Sequence, residues 1–323
     1  MNGRVIALAA VILSGTLVAQ TQAGKKYTPP HTPDGQPDLQ GVWTNVTITP
    51  LERPANLAGK EFFTPAEARQ YEKDTVDRNN ADRRDGGAQA DLSRAYNDAW
   101  YDRGTKVVET LRTSLVIDPP DGHVPRLAQG SQGQQGAAPA GFGRPPEGPE
   151  DRSLPERCIL WPTAGPPMMP SFYNNNYQIV QAPGYVTILV EMIHDARVIP
   201  LAGPRDVRPH VDASIRQWMG DPRGHWEGNT LVVETTNFND KTRFQRAGQN
   251  MHLVERFTRT APDTIMYEFT VDDPSTFTRP WTAQIPMKKT EGPIIEYACN
   301  EGNYAMEGML AGARADEKKA AGR

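Results

Sequence analysis

Short runs of apolar residues, many broken by polar residues at alternate positions and separated by turn residues, dominate the second half of this chain. Tyr177–Gln181, Tyr185–Met192, Arg197–Leu201, Thr230–Thr236, His252–Arg259, Thr264–Val271, Trp281–Met287 and Ile294–Cys299 read as strands. Ala182-Pro183-Gly184, Glu227-Gly228-Asn229, Ala261-Pro262-Asp263 and Glu291-Gly292-Pro293 supply turn chemistry between them. No helical periodicity intervenes, so a parallel βαβ arrangement is excluded and consecutive antiparallel pairing is expected. The pattern predicts a mostly β fold, an antiparallel meander forming a barrel or strongly curved sheet, with short peripheral helices.

The first half is sparser. Gly41-Val42-Trp43 opens a strand after a Pro/Gly-rich arm. Thr64-Pro65-Ala66-Glu67 combines an N-cap, a proline at the first helical position and a capping-box glutamate, and so starts a helix. Its apolar face, Ala68, Tyr71 and Val76, is thin enough to place it on the surface, with Asp77–Gly87 as its charged, frayed end. Ser114–Asp118, then Pro119-Pro120-Asp121-Gly122 and Val124, read as a hairpin. Residues 127–150 are Gly, Gln, Ala and Pro with little to bury, a low-complexity surface loop. A short helix near Met306–Ala315 and a charged tail end the chain, and no motif recurs at constant spacing.

The N-terminus changes where the protein is expected to work. Arg4, the apolar stretch Val5–Val18 and the small residue Ala23 read as a secretory signal over residues 1–23, cleaved to leave a single domain over 24–323. A retained span would need about 20 apolar residues, and no later segment is apolar enough to cross a membrane. Location is therefore periplasmic or secreted. No Cys follows the apolar run, which argues against a lipid anchor. With a formal net charge of −4 over 323 residues there is no basic field to attract nucleic acid. Cys158 and Cys299 are most simply a disulfide in an oxidising compartment, with a catalytic thiol as the competing reading. No oligomeric state is legible.

Candidate chemistry comes from acidic residues inside apolar strands. Glu191, Glu234, Glu255 and Glu268 each interrupt or end an apolar run. Turned inward, such groups converge on an oily pocket where burial raises a carboxyl toward the range useful for proton transfer. Turned outward, each is only the polar tooth of an alternating strand. His194-Asp195 follows Glu191, so His194 could assist there, or be a solvated turn residue. Tyr173, Asn175, Tyr177, Trp226, Arg256, Tyr267 and Trp281, with Glu268, form the candidate substrate-binding set, since aromatic bodies with polar tips at a barrel mouth suit flat organic or sugar-like ligands and as readily serve as rim packing.

Several familiar chemistries are absent. His210-x-Asp212 and His225-x-Glu227 could each present two metal ligands on one strand face, but no dense ligand cluster accompanies them, so neither metal nor cofactor is expected. Although the His225-x-Glu227 pair is similar to one in zinc deaminases, no Pro-Cys-x-x-Cys follows. Nucleophile-elbow and P-loop motifs do not occur.

Trp226–Phe238, Tyr173–Gln178, Glu191–Asp195, Glu255-Arg256-Phe257 and Glu296–Tyr304 together resemble a family of exported bacterial proteins of unassigned activity. That resemblance covers the second half well and the first half thinly, and implies membership rather than a reaction. Gly41-Val42-Trp43 also resembles the Gly-x-Trp of lipocalins and related calycins, which implies a ligand-holding antiparallel barrel. The chain is longer than a typical lipocalin and places a helix and a low-complexity loop after that strand.

The combined expectation is a barrel that binds a small hydrophobic or aromatic organic molecule. It would convert that molecule by acid–base chemistry as a lyase, hydratase or isomerase, with Glu191, Glu234 and Glu255 as acid–base groups. The first alternative is a ligand carrier or carbohydrate-binding protein without turnover, and the second an envelope structural or partner-binding protein, with no enclosed pocket and an apolar patch on the outside.

Overall fold

The computed structural model describes residues 27–93, 97–131, 146–203 and 208–322. The expected signal, residues 1–23, lies outside them, as does most of the loop expected over 127–150. The start of that loop is packed, with Leu127 bridging Phe277 and Ala128 N–H bonded to Thr276 O at 2.9 Å. Among the described residues no helix is long and apolar enough to cross a membrane.

Ten strands form one antiparallel sheet. They are β1 (Gly41–Thr44), β2 (Val116–Asp118), β3 (Asn176–Ala182), β4 (Tyr185–Val190), β5 (Ala196–Pro200), β6 (Asp221–Glu227), β7 (Thr230–Thr236), β8 (His252–Ala261), β9 (Thr264–Asp272) and β10 (Trp281–Thr290). The order is β5-β4-β3-β1-β10-β9-β8-β7-β6, with β2 paired to β10 off this path. Two meanders, β3 to β5 and β6 to β10, are thus joined through the short β1, which registers Trp43 against Tyr177 on one side and Lys289 on the other.

Alternation places one face of the sheet in the core. On β8 the buried positions are Leu253, Glu255, Phe257 and Arg259, and on β9 Thr264, Ile265, Tyr267, Phe269 and Val271. Trp43, Tyr177 and Trp281 join them, all at 0–1% exposure. Ring centroids lie 4.9 Å apart for Phe257 and Tyr267, 5.7 Å for Tyr267 and Phe269, and 5.8 Å for Phe269 and Trp281. Rings at such separations fill the space between the strands with side chains.

The two ends of the strand path, β5 and β6, meet at one parallel bridge between Leu201 and Gly224, where Ala202 N–H bonds to Gly224 O at 2.7 Å. A Cβ on Gly224 would sit 2.7 Å from Leu201 Cδ2 and 2.9 Å from Ile199 Cγ2, so this approach requires glycine. No antiparallel ladder among the described residues closes the sheet there.

Among the described residues there are three α-helices. Helix α1 (Pro65–Asn79) has the expected capping box: Thr64 Oγ1 accepts from Glu67 N–H at 3.3 Å and Glu67 Oε2 accepts from Thr64 N–H at 2.8 Å. Its buried residues are Ala68 and Thr75, and the Tyr71 ring packs at a tilt against Phe63, centroids 5.0 Å apart. Helix α2 (Gly87–Ser93), which the sequence pattern did not announce, begins where the expected frayed end of α1 stops. Helix α3 (Tyr304–Ala320) extends through residues expected as tail.

Three elements depart from the sequence expectation. Ile294–Cys299 forms no strand: two of its amides are captured by side chains, Ile295 N–H by Glu191 Oε1 at 3.1 Å and Tyr297 N–H by His194 Nδ1 at 3.0 Å. The hairpin at 114–124 does not form, since Pro119 and Pro120 have no N–H to build a ladder. Instead β2 pairs with β10, while Val124 N–H bonds to Glu52 Oε1 at 2.8 Å. Strand β6 was not expected at all because Pro222 and Gly224 break its pattern, yet it lies at the end of the strand path, where a missing donor is tolerated.

Candidate functional site

The acidic residues expected to share a pocket are distributed over three places. Glu255 on β8 points into the sheet interior with no exposure. There it receives both arms of Arg197 from β5, Nη1 to Oε1 at 3.1 Å and Nη2 to Oε2 at 2.5 Å. Tyr267 Oη donates to Glu255 Oε1 at 2.8 Å and accepts from Met168 N–H at 3.0 Å. Burial alone lowers the affinity of Arg197 for its proton, but Glu255 more than offsets this and keeps the guanidinium charged. Burial also pushes the Tyr267 hydroxyl well above its usual range, the Glu255 charge adding to it. These bonds hold the four groups in fixed geometry, and only Arg197 Nε among their donors has no hydrogen-bond partner among the described residues.

Glu191, 2% exposed at the end of β4, accepts from Asn176 Nδ2 at 2.8 Å as well as from the Ile295 amide. With His194 it fastens residues 294–299 to the sheet. Glu234 lies on the outer face, its side chain 47% exposed and 3.9 Å from His252. Arg256 and Glu268 also face outward, bonded to Glu227 at 2.7 Å and to Gln284 at 3.2 Å. Trp281 is core, 5.9 Å from Phe244, and Trp226 is half-buried on β6. Cys158 and Cys299 form the expected disulfide, which ties the loop before β3 to the segment before α3.

His210 pairs with Asp221 at 3.0 Å and His225 with Glu227 at 3.2 Å. Among the described residues no group of three or more His, Cys, Asp and Glu converges as a metal site.

The rest of the aromatic and amide set gathers around the loop of residues 161–171, whose Ala164, Met168 and Met169 are buried in the main core. Asn175, itself 1% exposed, clamps this loop: its Oδ1 accepts from Ser171 N–H at 2.7 Å and its Nδ2 donates to Asp102 O at 2.6 Å. Tyr177 Oη accepts from Asn45 Nδ2 at 3.3 Å and donates to Thr163 O at 3.5 Å, and burial raises its pKa. Tyr173 lies 6.4 Å from Trp161, ring to ring, and the Trp161 indole N–H donates to Ser171 Oγ at 3.2 Å.

Against this loop opens a cleft of about 620 Å³. Its apolar lining includes Leu51, Leu115, Trp161, Met169 and Phe172, and Thr75 and Asn79 of α1 contribute to it. The hydroxyls of Thr47 and Thr49 are engaged, with Lys106 O at 2.9 Å and Val108 N–H at 2.9 Å. Two other polar lining groups are not. Buried atoms Nη2 of Arg103 and Oγ1 of Thr163 have no hydrogen-bond partner among the described residues. Arg103 is positioned by its guanidinium lying 3.7 Å over the Tyr101 ring and by an ion pair with Asp98 at 3.6 Å. A cleft with apolar walls, one cation and one hydroxyl can hold an organic molecule by its body and orient it by an oxygen.

A second crevice, of about 500 Å³, lies beside β5 and β6 and includes Arg197, Trp218 and Pro222 in its lining. The Arg197 charge is already matched by Glu255.

Sequence reasoning missed Arg197, Arg103, Trp161 and Thr163. Arg197 carried the same signal as the glutamates, a charge opening an apolar strand. Trp161 and Thr163 sit in a proline-dense segment that gives no strand or helix pattern, and nothing around Arg103 marks it. No protein-family model, no curated protein and no solved structure matches this chain.

Proposed function

We propose that this chain binds a small, largely apolar or aromatic organic molecule in the cleft beside Trp161, without converting it. The observation that carries this reading is the pair Arg103 Nη2 and Thr163 Oγ1, buried among apolar walls without a hydrogen bond, the Asp98 carboxylate standing 3.6 Å from Nη2. A buried donor left unsatisfied costs about 1–3 kcal/mol, which a ligand oxygen would offset. Conversion by a lyase, hydratase or isomerase step has less support, because Glu255 and Glu191 are bound to fixed partners and Glu234 faces water.

Native mass spectrometry of the full chain isolated from its own compartment tests the proposal. Recovery of an unchanged organic molecule, displaced by Trp161→Ala, is the expected result. A molecule that is recovered and then converted on incubation would move the reading to acid–base catalysis. A chain that carries nothing, and whose tryptophan fluorescence ignores added apolar acids and alcohols, would end it.

Three further proposals accompany this one. The sheet is a lipocalin-like barrel with one weak seam, supported by the Leu201–Gly224 bridge and by Arg197 of β5 reaching Glu255 of β8. The mature chain is one exported domain, supported by the disulfide. Its kin are the exported bacterial proteins that share its strand motifs.

A further inference from the structure

The cleft does not stand alone. Pro155 and Pro162 line it and also line a neighbouring pocket of about 390 Å³. That pocket is basic: Arg152, Arg157, Lys241 and Arg243 line it against one carboxylate, Glu150, an excess of three positive charges in a chain whose net charge is −4. The cations come from two stretches far apart in sequence, residues 152–157 and the loop after β7, so the fold brings them together. Glu156 lies behind, 3.9 Å from Arg152, and Glu150 is 3.6 Å from Arg157. The Arg157 distance exceeds the 2.7–2.9 Å of a charge-assisted hydrogen bond. Arg243 donates to a backbone oxygen, Asp240 O, at 3.3 Å. Arg152, only 5% exposed and paired with Glu156, adds a fixed positive charge to the pocket wall. Leu154 and Leu160 complete the lining and continue the apolar character of the cleft.

We infer that cleft and pocket form one binding surface for an amphiphile, its apolar body against Trp161 and Phe172 and its terminal anionic group among Arg152, Arg157, Lys241 and Arg243. This deepens the proposed function and rests on it. Carboxylate, sulfonate and phosphate heads share the chemistry that such a pocket recognises.

The test uses the full chain and two fluorescent probes with the same body, anilinonaphthalene sulfonate and its uncharged parent phenylnaphthylamine. The sulfonate is expected to bind at least about tenfold more tightly, and high salt should shrink that advantage. Reversing charge with Arg157→Glu and Lys241→Glu together should weaken the sulfonate about tenfold or more and leave the parent unchanged. The same reversal at Lys318 and Lys319 on α3 should change neither probe, which separates a local pocket from a general charge effect. Equal binding of both probes, or a sulfonate affinity indifferent to the pocket reversal, would overturn the inference and leave the cleft reading standing. Failure of both probes to bind would overturn the cleft reading and this inference with it.

Discussion

The sheet interior and the cleft both bury charged or polar side chains among aromatic rings, but the groups face different partners. In the interior, Arg197, Glu255, Tyr267 and the Met168 amide form a continuous chain of hydrogen bonds beside aromatic rings, with Arg197 Nε alone among these donors left without a hydrogen-bond partner among the described residues. In the cleft, Arg103 is held in place from one side and Thr163 by its backbone, and each leaves a buried polar atom without a hydrogen-bond partner beside open volume. Burial of a charge inside an apolar strand is therefore not in itself a sign of chemistry. What separates the two charges is their pairing: Arg197 meets Glu255 with both arms at 3.1 and 2.5 Å, whereas Arg103 Nη2 lies 3.6 Å from Asp98.

The comparison breaks most sharply at Glu255. Replacing it with Gln leaves Arg197 charged and unpaired in the interior, so a loss of about 3–5 kcal/mol in urea denaturation is expected. The double replacement Arg197→Met with Glu255→Leu should recover most of that loss, because removing both charges abolishes the desolvation cost as well as the pair. A Glu255→Gln protein of near-normal stability would mean that the interior network is not the closed structural unit described above.

The disulfide belongs to the cleft side. Cys158→Ser with Cys299→Ser should lower stability by about 2–5 kcal/mol, since the bridge closes a loop of 141 residues. Hydrogen exchange sharpens the contrast. The Ile295 and Tyr297 amides should lose protection while those of β8 and β9 keep theirs, which distinguishes a loosened strap from a loosened sheet.

Much of the sheet was legible because alternation and turn residues act locally. The runs on β8 and β9 announce themselves with a buried residue at every second position, and the Thr64 capping box fixes the start of α1 within four residues. Strand β6 was hidden because its pairing with β7 overrides the local preference of Pro222 and Gly224. The strand expected at 294–299 failed through contacts more than 100 residues away, to Glu191 and His194, which no local pattern encodes. The same limit applies to chemistry. An alternating strand marks Glu255 as unusual, but the Arg197 that occupies it comes from β5, and only the fold reveals the pairing. The direction of Glu234 depends on register, which sequence leaves open.

Between the two regions in size of effect stands Asp195, in the turn before β5. Burial pushes its carboxyl up to about 6 from 3.8, and its buried Oδ2 has no hydrogen-bond partner among the described residues. A carboxyl with a raised folded-state pKa binds its proton more tightly when folded. Its favourable contribution is therefore complete below about pH 4 and is lost as pH rises through about 6. Allowing for partial access to water, stability should fall by about 1–2 kcal/mol across that window on account of this group. In Asp195→Asn the fall should shrink by that amount, as read from urea midpoints at pH 4 and pH 7. An unchanged slope would show that Asp195 has found a partner and belongs with the closed groups of the interior.

Arg103→Met should produce the smallest change in stability and is the most direct test of the contrast. The substitution removes the stacking on Tyr101 and the long ion pair with Asp98, together about 0.5–1 kcal/mol, and keeps the apolar stem. It also removes the unpartnered Nη2, so part of even that loss should be regained. Folding should thus be nearly untouched while affinity for an oxygen-bearing ligand falls about tenfold, the worth of one hydrogen bond from a charged donor. The opposite outcome, a marked loss of stability with affinity intact, would place Arg103 among the structural charges. The cleft would then resemble the interior after all, with its polar groups serving the fold and not a guest.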